Sequence, residues 1–223
     1  MKYFLLIFIN LIICNETLTY KVKYNNIKAG NAVFKESILE NDSIKYKQIS
    51  FSVKSNKFVD IFYKLRNNVS MITSANEYYI YDLKRDLKEG KKIEKSRSII
   101  NYNSQTILYD NKNIIFDGEK VYSILSLIYF LRIQTLKVDQ EYFINIYNNG
   151  KIKPAIVRVE QEYNNQEEEN NQEVTTFFII TVQSQDNNKN HMQLVIAQID
   201  NKKIPIQIEL NTKNGIMELS IDD

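Results

Sequence analysis

The closing run IPIQIELNTKNGIMELSI, residues 204–221, decides the fold class. Ile204, Ile206, Ile208 and Leu210 alternate with Pro205, Gln207 and Glu209, the period of a strand with one wet face. Asn214-Gly215 separates this run from 216–221, and Asn-Gly is favoured in tight hairpins because both central residues must take positive φ. The same grammar recurs upstream. Tyr20, Val22 and Tyr24 alternate with Lys21 and Lys23, and Asn149-Gly150 lies between the strand-like runs 142–147 and 152–159. Further strands are expected at 78–83, 93–102, 174–182 and 192–199. In 44–53 the apolar parity moves from Ile44 and Tyr46 to Ile49, Phe51 and Val53, which predicts a bulge near Gln48. The polar stretches 161–172 and 185–190 read as long hairpin loops. Short polar turns between successive strands favour consecutive antiparallel pairing, a meander.

Two stretches break the period of two. Val121, Ile124, Leu125, Ile128 and Leu131 follow helical spacing behind Asp117 as N-cap, while Tyr122, Leu127 and Phe130 make the other face apolar too. A helix near 119–132 must therefore be buried. A shorter helix is expected within 57–65, where Val59, Phe62 and Tyr63 would face the core. The fold expected is mainly β: a single curved antiparallel sheet, a half-barrel or open barrel, with one buried helix.

Lys2 followed by the apolar run 4–14, interrupted only by Asn10, has the form of an export signal, and the run is too short to span a bilayer. Residues 1–14 are read as a signal peptide, cut within 14–17, and 18–223 as one β-rich domain. Cys14 is the only cysteine, so no disulfide can form within the chain. A lipid-modified cysteine normally follows a small residue, whereas Ile13 precedes Cys14; release into the periplasm is expected rather than anchoring. The 223 residues carry 29 basic and 27 acidic side chains, a net charge of +2 that gives no general attraction for nucleic acid.

The side chains that could carry chemistry are few. His191 is the only histidine and follows a polar run, so it reads as a surface residue without a zinc partner. Glu167, Glu168 and Glu169 lack the spacing of a calcium loop. The five glycines stand singly, leaving no phosphate cradle. No base and nucleophile can be paired, so catalytic residues, metal ligands and cofactor sites are all expected to be none. The region from Lys84 to Arg97 is basic but interrupted by Asp86, Glu89 and Glu94. A solvated hairpin explains it, and peripheral contact with anionic headgroups is its alternative use. Tyr122, Leu125, Ile128, Tyr129 and Arg132 share the expected helix and are the candidate ligand-lining or signature residues. Arg132 suits the carbonyl end of that helix and a buried acid.

Three separated patches resemble the bacterial family known as domain of unknown function 3108. Tyr20-Lys-Val-Lys-Tyr24 with Ile27, Ala29-Gly30 and Ala32 is similar to its opening strand and turn. Residues 121–132, VYSILSLIYFLR, are similar to its helical signature, although Ser123 and Ile124 stand where the family usually has Asp-Pro. Lys203-Ile204-Pro205 with Gly215 and Leu219 resembles its closing hairpin. The resemblance implies an exported envelope protein with a curved antiparallel sheet. From that architecture follow two expected roles: carriage of a lipid or other hydrophobic molecule in the periplasm, or assembly of the envelope by contact with another protein.

Overall fold

The computed structural model describes residues 13–41, 44–118, 120–165, 175–185, 187–212 and 215–222. In chain order the elements are β1 (Ile13–Tyr24), β2 (Ile27–Asn41), β3 (Ile44–Ser55), the single-turn α1 (Lys57–Asp60), β4 (Leu65–Ser74), β5 (Ile80–Glu89), β6 (Lys92–Asn101), β7 (Thr106–Tyr109) and β8 (Lys112–Ile115). There follow β9 (Val121–Tyr122), α2 (Ile124–Ile133), β10 (Glu141–Asn148), β11 (Lys151–Asn165), β12 (Thr175–Ser184), β13 (Asn187–Ile199), β14 (Lys202–Thr212) and β15 (Gly215–Ile221). Residues 1–12 of the proposed signal segment 1–14 lie outside the described residues, while its last two, Ile13 and Cys14, begin β1 opposite Ile38 and Ser37.

Among the described residues the strands form one 15-stranded sheet, ordered β8-β7-β6-β5-β4-β3-β2-β1-β15-β14-β13-β12-β11-β10-β9. It is two meanders joined where β1 pairs with β15, and its free edges, β8 and β9, are neighbours in sequence. Every pairing is antiparallel except β9 with β10, because α2 is the crossover between them. The curved sheet brings its edge regions together through side chains. The Ser98 and Tyr147 hydroxyls are 2.8 Å apart, and the Gly150 N–H donates to Tyr147 at 3.0 Å. Tyr109 and Ile114 of the β7–β8 hairpin lie against Gly150, leaving no room for a side chain there. The molecule is an open barrel with a side-chain seam. Since a meander reverses at each turn, the connections after β1, β3, β5, β7, β10, β12 and β14 share one end, here the first end.

The inner face is the one the sequence pattern marks. Leu18, Tyr20 and Val22 of β1, Ala32 and Phe34 of β2, and Ile49 and Val53 of β3 are buried, as are Ile180, Val182, Leu194 and Ile196 of the second meander. Gly30 is required rather than merely tolerated: a Cβ there would sit 2.0 Å from the Lys54 carbonyl oxygen on β3. Asn149 and Gly150 take φ of 48° and 74°, as the hairpin reading demands.

Five local expectations are corrected. No bulge interrupts β3 near Gln48; register runs unbroken from Gly30↔Ser55 to Asn41↔Ile44. The inward phase is carried by Lys47, which pairs with Glu36 inside, while Tyr46 turns to the other face against Tyr81. A bulge falls instead in β14: Val195 pairs with Gln207 but Ile196 with Pro205, so Ile206 is the extra residue and Pro205 joins Ile208 on the buried face. Proline has no N–H to give a ladder, which makes it at home in a bulge. Of the expected loops, 161–165 belong to β11 and 187–190 to β13, because backbone pairing is indifferent to side-chain polarity and Tyr163 stacks on Phe177 across β11 and β12. Residues 166–174, with the three acids, lie outside the described residues.

The main helix starts at Ile124, later than expected, and Asp117 is not its cap. Ser123 accepts from the Ser126 N–H at 3.0 Å and Ser126 accepts from the Ser123 N–H at 3.0 Å, a reciprocal box that leaves Val121 and Tyr122 to pair as β9. The shorter helix is one turn only, and Phe62 and Tyr63 are exposed rather than core-facing. The Ser55 hydroxyl and Arg66 both bind the Asp60 carboxylate, drawing the chain into β4 before a second turn can form.

Candidate functional site: a half-filled barrel

α2 lies inside the curve and fills only part of it. Leu127 and Leu131 are completely buried, Ile128 and Tyr129 nearly so, and Tyr122 just before the helix is 5% exposed. At the other end of the helix axis, towards the first end of the barrel, remains a cavity of about 650 Å³. Ile124 and Leu125 form its floor. Its walls come from both meanders, with Leu83 and Leu87 of β5, Ile146 of β10, Met192 of β13 and Leu210 of β14. Arg85, Asn148, Lys153, His191 and Asn211 add polar groups, and among the described residues no aspartate or glutamate lines the cavity.

Arg85 is set on the inner parity of β5 between Leu83 and Leu87. Its guanidinium donates to the side-chain oxygens of Asn148, at 2.8 Å, and Asn149 across the seam. Among the described residues no carboxylate forms an ion pair with it, and burial holds its pKa below the usual arginine value. A half-buried cation held by neutral amide oxygens is one that an anionic group would stabilise. His191, expected at the surface, is half-buried in the cavity lining, with Nε2 3.0 Å from the Asn211 amide nitrogen.

The five helix residues singled out from sequence are thus divided between two environments. Leu125 reaches the cavity; Tyr122, Ile128 and Tyr129 pack in the core; Arg132 points to the second end. There Arg132 makes a two-pronged pair with Glu16 of β1, at 2.5 and 2.8 Å, and donates to the Lys203 carbonyl on β14 at 2.7 Å. Its guanidinium stands 5.2 Å from the Tyr129 ring, which stacks on Tyr78 at 5.7 Å. Tyr78 in turn donates to Glu36 at 3.1 Å, and the Tyr20 hydroxyl donates to the Pro205 carbonyl at 2.6 Å. Burial raises the phenols of Tyr20, Tyr78 and Tyr129 far above the ordinary tyrosine range and pushes Tyr122 up to about 12, so these hydroxyls hold their protons. The arrangement anchors the helix to the sheet. Among the described residues no cluster of His, Cys, Asp or Glu could hold a metal ion, and no helix is long and apolar enough to cross a membrane.

A second depression of about 660 Å³ lies on the outer parity of β2 to β6, where Lys35, Ser50, Ser52, Asn68, Lys84 and Arg97 face solvent. Its cations Lys95 and Arg97 are already paired, with Asp86 and Asp82. The cavity beside α2 is the better-shaped site, because it is concave, apolar-walled and carries few placed polar groups.

A curved antiparallel sheet closed through side chains over an internal helix defines a β-barrel-like protein. The chain belongs to the family of proteins of unknown function DUF3108, whose model matches residues 19–222. The fold is shared with a β-barrel-like protein of domain of unknown function DUF1849 from Brucella abortus. That crystal structure matches with a TM-score of 0.56 at 7% identity, over 96% of this chain and 98% of the other. Among curated proteins none matches the chain.

Proposed function

We propose that the protein is an exported cell-envelope protein that holds an amphiphilic molecule in the cavity beside α2, its apolar part against Leu83, Leu125 and Leu210 and an anionic head at Arg85. The observation that carries this reading is the cavity of about 650 Å³, walled by apolar side chains and lined by Arg85, Lys153 and His191, with no acid among the described residues that line it. A volume of this order accommodates a small-molecule ligand. Export rests on the Lys2 and 4–14 pattern. A mature chain beginning at Asn15 or Glu16 would keep the Glu16 carboxylate that Arg132 needs.

The test has an address arm and a ligand arm. Intact mass of protein from the envelope fraction should give an unacylated chain starting no later than Glu16; retained Met1 would remove export from the reading. Native mass spectrometry of the same sample should show a bound amphiphile. A fluorescent fatty-acid probe should bind in the purified protein, and Leu125→Trp, which fills the floor, should weaken it by about tenfold or more. Arg85→Gln should weaken the carboxylate probe and leave its uncharged ester little changed. Equal probe binding by Leu125→Trp, or none by the wild type, would sink the carrier reading in favour of an assembly role.

A further inference from the structure

The first end of the barrel carries a second feature, built from residues that the cavity does not use. Between β3 and β4 the chain presents Phe58, Ile61, Phe62 and Tyr63 with exposures of 67%, 75%, 77% and 50%. Four large apolar side chains in six residues make a contiguous patch, unlike scattered single exposures, and Phe58 and Phe62 pack ring to ring at 5.9 Å.

The backbone beneath the patch is fixed. Asn56 caps α1 by accepting from the Val59 N–H at 2.9 Å and ties it to the β1–β2 hairpin by donating to the Lys28 carbonyl at 2.8 Å. The Phe62 and Tyr63 N–H groups both donate to the Val59 carbonyl, at 3.0 and 2.8 Å. Gly90 at the β5–β6 tip donates to the Lys64 carbonyl at 2.9 Å, and the Tyr63 ring lies so close that a Cβ on Gly90 would be 3.1 Å from it. A firmly held scaffold therefore aims its aromatic side chains at solvent.

The surrounding charge is complementary to one kind of surface. Lys57 and Lys64 flank the patch, Lys28 lies beneath its cap, and Lys91 stands at the adjoining tip, all exposed. Of the nearby acids, Asp60 is taken up by Arg66, at 2.5 Å, and Glu89 accepts from Asn67 at 2.7 Å. Exposed aromatics ringed by lysines match the bilayer interface, where rings enter the headgroup level and cations meet anionic lipid. The meander puts this patch at the same end of the barrel as the mouth-side residues Leu87, Asn148 and Ser184 of the cavity.

We infer that the α1 segment 57–64, with the Gly90 tip beside it, is a docking site for an anionic lipid bilayer. It holds the first end of the barrel against the membrane. This inference extends the carrier reading, since a cavity facing the bilayer could exchange an amphiphile with it, but the docking itself does not depend on an occupied cavity.

Flotation of the purified full-length mature protein with vesicles of phosphatidylcholine alone, or mixed with phosphatidylglycerol, provides the test. Binding is expected to the mixed vesicles and to fall as salt rises. The pair Phe58→Ser and Phe62→Ser should lower it by about tenfold or more, and Lys57→Glu with Lys64→Glu should lower it on the mixed vesicles. Both pairs replace exposed side chains, so unchanged thermal unfolding will certify the fold. The two proposals separate cleanly: the docking variants should keep probe binding in solution, and Leu125→Trp should keep vesicle binding. Absence of flotation with either vesicle, or flotation indifferent to both pairs, overturns the inference. So does concentration-dependent self-association abolished by the phenylalanine pair without vesicle binding, which would make the patch a protein interface.

Discussion

At the scale of single residues, Arg132 and Glu16 show what a buried charge is doing here. The side chains are 12% and 14% exposed, and each guanidinium nitrogen donates one hydrogen bond, two to the carboxylate oxygens and one to the Lys203 carbonyl. Burial raises the Glu16 carboxyl, but the Arg132 hydrogen bonds and charge, helped by Lys202, outweigh it and hold the pKa below the usual 4.5. The folded form thus binds its proton more weakly than the unfolded form. The pair's stabilisation is complete above the ordinary glutamate range and is lost as pH falls through the depressed folded-state value. Removing one partner strands the other: Glu16→Gln should cost about 3 kcal/mol, and Arg132→Met a similar amount, measured by urea unfolding at neutral pH. The double variant Glu16→Leu with Arg132→Met should recover most of that loss, because two apolar groups leave nothing uncompensated. The acid-side slope of stability should flatten in the double variant; an unchanged slope would mean that other carboxylates govern acid unfolding.

At the scale of elements, α2 has a core half and a cavity half, and substitutions should report the division. Leu127 is wholly buried, so Leu127→Ala should lose about 3 kcal/mol from burial and cavity terms. Leu125 is half-buried on the floor of an existing cavity, so Leu125→Ala should lose roughly 1 kcal/mol while enlarging the site. Equal losses in calorimetry would mean that the cavity is closed in solution. The same helix shows how far the sequence could be read. Its existence and burial were visible because both faces of 121–131 are apolar, and the Ser123 to Ser126 spacing carried the true cap, but no pattern showed how much of the barrel it would fill. That depends on β5, β10, β13 and β14, each of which looks like ordinary core when read alone. Arg85 was hidden in a basic run that reads as solvated, although Leu83, Arg85 and Leu87 share a period of two that places it on the apolar face. Similarly, Phe62 and Tyr63 look like core in a helical projection, and only the Ser55, Asp60 and Arg66 cluster reveals that the helix stops and leaves them outside.

For the molecule as a whole, the sheet's two free edges raise the question of what keeps the barrel curved. β1 and β15 close a long loop of chain with a regular ladder from Tyr20↔Ile221 to Tyr24↔Met217, so the junction of the two meanders is secured by backbone bonds. At the opposite side, β8 and β9 do not pair with each other, and side chains cross in their place. Tyr147 is the centre of that crossing: its hydroxyl meets Ser98 on β6 and receives the Gly150 N–H within its own hairpin. Tyr147→Phe keeps the ring and its packing but leaves the Ser98 hydroxyl and the Gly150 N–H without this partner, a loss of about 1 kcal/mol. Such a loss should not spread evenly, because opening at the seam need not break the ladders elsewhere. Hydrogen exchange should therefore quicken in β7, β8, β9 and the first turn of α2, and stay unchanged in β1 and β15. A uniform rise would assign Tyr147 to global stability, and no change would mean that Arg85, Asn148 and the Tyr109 packing hold the seam without it. Because Tyr147 and the first turn of α2 also line the cavity, the loosened seam should speed release of a bound probe more than it weakens equilibrium binding. Stopped-flow displacement measures that directly, and an unchanged release rate would place the route for ligand at the first end of the barrel rather than through the seam.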